Sequence, residues 1–116
     1  TMQKDQLFML KPGFFKESEG PFYCGDSVAV EGLLSFFPQL RNKIDVHYID
    51  APRPRAAIIA LIGEDNQSAP VLVLGSEQVP VDCSVEIRTH KGARFIDNPD
   101  QIRRYLSSQY GVAHVS

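Results

Sequence analysis

The sequence predicts one α/β domain spanning residues 1–116, with a mixed four-stranded sheet flanked by helices. Two observations carry that prediction. Apolar residues switch between strand-like runs and helical spacing in the order strand, helix, strand, helix, strand, strand, helix. A chain of 116 residues that is 43% hydrophobic and 22% charged can also bury one sizeable core, whereas two domains would each be marginal.

Gln6 to Leu10 form an apolar run ended by Lys11-Pro12-Gly13, which predicts a short buried strand and a break. Lys11 to Tyr23, with Gly13, Gly20 and Pro21, reads as a long loop, and loops of that length in a compact domain are often functional. From Asp26, the expected N-cap, Val28, Val30, Leu33, Leu34 and Phe37 lay an apolar stripe along a helix until Pro38 interrupts it.

Ile44 to Ile49 predict a second strand, closed by Asp50-Ala51-Pro52. Pro54 suits the first position of a helix running through Ile58, Ile59, Leu61 and Ile62 to Gly63, which is expected to close it in the left-handed conformation. Val71-Leu72-Val73-Leu74 is a continuous apolar run, as in a central strand buried on both faces. Glu77 to Lys91 is the least legible stretch: Val85 and Ile87 alternate like an edge strand, but Pro80 leaves the assignment open. Ala93 to Ile96 predict a final strand, and Asp97-Asn98-Pro99 cap a helix carrying Ile102, Tyr105, Leu106 and Tyr110 to Gly111.

The bulk numbers exclude several classes. A formal charge of −2 gives no footprint for nucleic acid, which needs clustered Lys and Arg. The longest apolar stretches, such as Ala56 to Ile62, are far too short to span a membrane, and no basic-then-apolar leader opens the chain, so a cytoplasmic, unanchored protein is expected. Thr1 ahead of Met2 reads as an expression remnant and is set aside. His47, His90 and His114 show no metal-ligand spacing, and no phosphate loop or serine-nucleophile elbow is present. Two cysteines, Cys24 and Cys83, are too few for a disulfide scaffold, and the sequence leaves a bridge between them open.

Tyr23-Cys24-Gly25-Asp26-Ser27 at the start of the first helix and Ala69-Pro70-Val71 at the start of the third strand, in this order of elements, resemble the thioredoxin fold over most of the chain. That family carries an aromatic residue, then Cys-Gly-Pro-Cys, and a cis proline facing the motif. Here Asp26 replaces the proline and Ser27 the second cysteine, giving Cys-x-x-Ser. The resemblance implies a cis Ala69–Pro70 bond, with the Ala69 backbone presented to a bound thiol peptide.

Phe95 to Leu106 resembles the last strand and helix of the glutathione-transferase N-terminal domain, which implies that Asp97, with Asn98 in place of that family's serine, meets the γ-glutamyl end of glutathione. Lys11 follows the first strand, where glutaredoxin-like domains place a cation for a glutathione carboxylate. The segments Lys11-Pro12-Gly13-Phe14, Phe22-Tyr23-Cys24, Glu31-Gly32-Leu33-Leu34, Pro52-Arg53-Pro54-Arg55 and Asn66-Gln67-Ser68 look more specifically like a small bacterial family of thioredoxin-like domains with no assigned function. In that family a second cysteine often occupies the position of Ser27.

A helix N-terminus stabilises a thiolate, so Cys24 is the candidate nucleophile, with the Ser27 hydroxyl donating to its sulfur and Asp26 opposing the charge if ionised nearby. Ser27 cannot resolve a mixed disulfide, which excludes a dithiol cycle through positions 24 and 27. Monothiol chemistry survives, with glutathione, a partner thiol or Cys83 resolving the adduct. Arg53 and Arg55 offer an anion site or ordinary surface ion pairs. The expected function is thus a glutathione-linked monothiol oxidoreductase or transferase-like enzyme holding no tightly bound cofactor. The alternative is a non-catalytic module that engages a protein partner through Phe14, Phe15, Phe22 and Tyr23. An arsenate-reductase-like enzyme, which pairs one cysteine with arginines, is a third reading, but its arginine spacing is not reproduced by Arg53, Arg55, Arg88 and Arg94.

Overall fold

The computed structural model describes residues 3–116, so Thr1 and Met2 lie outside the described residues. Its elements in chain order are β1 (Gln6–Leu10), β2 (Phe14–Lys16), β3 (Glu19–Phe22), α1 (Gly25–Phe36), a single 3₁₀ turn (Pro38–Asn42), β4 (Asp45–Ile49), α2 (Ala56–Ile62), β5 (Val71–Val73), β6 (Arg88–His90), β7 (Ala93–Ile96) and α3 (Pro99–Tyr110).

The main sheet has five strands in the order β4-β1-β5-β7-β6, one more than the four predicted. β1 and β4 run parallel from Gln6↔Asp45 to Leu10↔Ile49, and the remaining neighbours are antiparallel. The added strand is the edge hairpin partner of β7. It forms at Arg88–His90 rather than at Val85 and Ile87, which are drawn into the core instead. Alternation along each strand divides the core in two. Leu7, Met9, Leu72 and Ile96 pack with α1 and α3, whereas Phe8, Val71, Val73 and Phe95 pack with Ile58 and Ile62 of α2. Every residue of β5 is buried, as its unbroken apolar run requires.

Residues 11–23 form a second, two-stranded sheet in place of the predicted loop, with Phe14 opposite Phe22 and Lys16 opposite Glu19. Gly20 makes this hairpin possible. Its φ is +139°, and a Cβ there would lie 2.9 Å from the Phe14 carbonyl oxygen.

Helix boundaries follow the caps. Cys24, not Asp26, is the N-cap of α1, with extended backbone angles and a sulfur that accepts the Ser27 N–H. α2 begins at Ala56, two residues after Pro54, because the Arg55 N–H is held by Gln67 Oε1 at 2.9 Å and Arg55 keeps non-helical angles. Gly63 closes α2 at φ +84° and ψ 165°, a positive-φ conformation that favours glycine but lies outside the left-handed helical well. α3 matches expectation: Asn98 Oδ1 accepts from the Asp100 and Gln101 amides, Pro99 follows, and Gly111 closes the helix at φ 69°, ψ 33°. The Ala69–Pro70 peptide is cis, as are Gly20–Pro21 and Arg53–Pro54. Both cysteines are free. Among the described residues no helix is long and apolar enough to cross a membrane.

Candidate functional site

β1 carries the chain to Leu10, and the β2–β3 hairpin returns it so that α1 starts beside that strand end. The join is fixed by Ser27, only 4% exposed, whose Oγ accepts the Leu10 N–H at 3.2 Å. The hydroxyl thus serves β1. It is the Ser27 amide that donates to Cys24 Sγ, at 3.4 Å, in place of the expected hydroxyl. Cys24 is half-buried and borders two neighbouring cavities.

The larger, about 590 Å³, lies between the hairpin, the mouth of α1 and the segment entering α2. Its walls include Phe14, Phe15, Phe22 and Tyr23, with Lys16, Asp26 and Arg55 as its charged groups. Lys16 Nζ sits 5.6 Å from the centre of the Phe22 ring. Arg55 is clamped in place: Nε and Nη2 donate to the Ala51 carbonyl at 2.9 and 2.7 Å, and Nη1 donates to the Gln67 carbonyl at 2.6 Å. Its pKa is lowered by partial burial and by Arg53 beside it, while a charge on Cys24 acts in the opposite direction.

The smaller cavity, about 300 Å³, takes Cys24 and Ser27 together with Met9, Val28 and Tyr48. Tyr48 and Glu31 of its lining are tied to each other and to Arg41. Arg41 donates to Glu31 at 2.6 Å and to the Tyr48 hydroxyl at 3.0 Å, and Tyr48 donates to Glu31 at 2.7 Å. Burial and then the Glu31 hydrogen bond raise the Tyr48 pKa, and the Tyr48 hydrogen bond is the largest influence raising that of Arg41.

The structure therefore brings Cys24, Ser27, Asp26 and Arg55 together with the aromatic residues Phe14, Phe15, Phe22 and Tyr23, and places Lys11, Ala69, Pro70, Asp97 and Asn98 elsewhere. Lys11 Nζ lies 3.5 Å from Asp50 on the surface. Asp97 is bound by Arg88 at 2.5 Å, and Asn98 spends its side chain on the cap of α3. Ala69 packs against the α2 side of the core, and Pro70 precedes Val71, the partner of Phe8. None of these five lines either Cys24 cavity. Cys83 is exposed and follows Asp82, which is held by Arg104 and Ser108 of α3. No group of His, Cys, Asp or Glu suited to a metal occurs among the described residues. Sequence reasoning missed Lys16 and the Glu31–Arg41–Tyr48 trio, whose members come from separate elements and carry no local spacing signal.

A mixed-sheet α/β domain with a cysteine-capped helix opening on a cationic, aromatic-walled cavity is the class that fold and site define. The family described as Protein of unknown function (DUF3088) matches residues 4–114, and the chain belongs to that family. No curated protein and no solved structure matches it.

Proposed function

We propose that this is a thioredoxin-like domain performing glutathione-linked monothiol chemistry at Cys24, as an oxidoreductase or transferase-like enzyme of the bacterial cytoplasm. The carrying observation is that Cys24 caps α1, takes the Ser27 N–H on its sulfur, and faces the same cavity as a clamped Arg55. Support for the fold assignment comes from the parallel β1–β4 pair, the antiparallel β5–β7 pair, and α1 with α3 on one face and α2 on the other.

In this reading the Cys24 thiolate attacks one sulfur of a disulfide. A Cys24–S bond forms, the original S–S bond breaks, and the departing half leaves as a thiolate with the electron pair. Glutathione then attacks the adduct and restores Cys24, since Ser27 offers no thiol and Cys83 lines neither cavity. A reducing cytoplasm suits two free cysteines.

The test is intact-mass analysis after exposure to oxidised glutathione, with Cys24→Ser and Cys83→Ser run beside the parent chain. One adduct retained in Cys83→Ser and absent from Cys24→Ser is expected. Modification confined to Cys83, or none, would remove the enzymatic reading. A second reading is favoured by the hairpin aromatics, since Phe15 is 59% and Tyr23 67% exposed: a non-catalytic module that anchors a protein partner there. In that case hairpin substitutions abolish partner capture while Cys24→Ala leaves it intact.

A further inference from the structure

The larger cavity combines an ordered cation with an aromatic wall, and the two together specify a ligand. A guanidinium carries five N–H donors. Arg55 commits one on Nε, one on Nη2 and one on Nη1 to carbonyl oxygens, which leaves one N–H on each terminal nitrogen. Carbonyls orient the group without neutralising it. The ion pairs of the described residues are Lys11–Asp50, Arg41–Glu31, Arg88–Asp97, Arg103–Asp100 and Arg104–Asp82, and none involves Arg55. Asp26 lines the same cavity from the exposed first turn of α1 and forms no ion pair with it.

A pre-ordered guanidinium that is paired with no carboxylate meets an oxyanion with little further loss of side-chain freedom. The hairpin lines the same cavity with Phe14, Phe15, Phe22 and Tyr23, the Phe14 and Phe22 rings 6.4 Å apart and inclined at 48°. Lys16 adds a second positive charge beside that wall. A volume of about 590 Å³ admits a compact organic acid.

We propose that this cavity binds a flat aromatic carboxylate, its ring lodged against the hairpin aromatics and its carboxylate held by Arg55. The inference rests on the reading of Cys24 as nucleophile for its catalytic consequence: the group attached to the sulfur under attack is an aryl acid rather than a neutral or cationic one. Binding of the acid itself needs no thiol, so the two claims fail separately.

Titrating the ¹⁵N-labelled chain with 2-naphthoate and with its neutral counterpart 2-naphthamide, followed by amide chemical shifts, tests it. The acid is expected to bind about tenfold more tightly than the amide, as one charge-assisted hydrogen-bonded pair provides. Shifts should centre on residues 14–24 and 51–55. Arg55→Gln abolishes the preference, Arg55→Lys retains part of it, and Phe15→Ser weakens both ligands alike without touching the clamp. Equal affinity for acid and amide, shifts centred elsewhere, or no shift at millimolar naphthoate would overturn the proposal. Naphthoate binding without a glutathione adduct on Cys24 would keep this site and remove the thiol chemistry. An adduct with no naphthoate binding would do the reverse.

Discussion

Asp5 shows how much one residue can hold without belonging to the candidate site. Its carboxylate is fully buried just before β1. Oδ1 accepts the Gly75 N–H at 2.7 Å, while Oδ2 accepts from the Tyr110 hydroxyl at 2.8 Å, from Gln78 Nε2 at 3.2 Å and from the Tyr105 hydroxyl. Gly75 can approach because it has no side chain; a Cβ there would lie 2.1 Å from the Gln3 carbonyl oxygen. Asp5→Ala strands four donors in or near the core, and an unsatisfied buried donor costs about 1–3 kcal/mol. Since Tyr110 and Gln78 are partly reached by water, a total loss of about 3–5 kcal/mol is expected. Asp5→Asn, which keeps one acceptor, should cost less. The urea midpoint should fall with the slope unchanged. A loss below about 1 kcal/mol would mean that the donors find other partners.

At the scale of elements, the β2–β3 hairpin is the piece on which the site depends and the one that lies outside the main sheet. A two-stranded hairpin is marginal alone, so its turn chemistry matters. Gly20→Ala sets a Cβ 2.9 Å from the Phe14 carbonyl oxygen and 3.0 Å from the Phe15 ring, at a φ of +139°. The expected result is local opening: the Gly13 N–H, which donates to the Phe22 carbonyl at 2.8 Å, should exchange with solvent at least about tenfold faster, a change of about 1.4 kcal/mol. β5 and α3 should keep their protection. Unchanged exchange at Gly13 would show that the turn tolerates a side chain.

This hairpin also marks where the sequence stopped being legible. β1, β7 and α3 could be read directly because apolar periodicity and cap chemistry are local signals, and Asn98-Pro99 with Gly111 bracket α3 as expected. Residues 14–22 are short, largely exposed strands with glycine and proline among them, so no alternation betrays them. The N-cap of α1 was misplaced because Asp26 is a common cap and Cys24 is not, yet the sulfur takes the amide. Within the site, Cys24 was legible from its place at a helix mouth. The orientation of Arg55 was not, since its clamp comes from backbone carbonyls of Ala51 and Gln67.

For the whole molecule, the Asp5 network is the tie between distant parts of the chain. It joins the approach to β1, the turn after β5 and the last two turns of α3. Its phenols make that tie dependent on pH. Burial is the main cause, and Asp5 the next, of pKa values for Tyr105 and Tyr110 raised well above the ordinary phenol value of about 10. Below pH 10 both folded and unfolded chains keep these protons, so the network contributes in full. Above pH 10 the unfolded chain releases them while the folded chain retains them, so stability falls as pH rises. Each retained proton steepens the decline by up to about 1.4 kcal/mol per pH unit. Tyr48, 44% exposed, is screened by solvent and adds less. Urea unfolding at pH 9 and pH 11 measures the decline, and Tyr110→Phe isolates the network by removing one of the two protons. The variant is expected to lose stability more gently than the parent over that interval, and tyrosinate absorbance from Tyr105 and Tyr110 should appear only on unfolding. Equal declines in the two chains would show that the Tyr110 phenol ionises without unfolding.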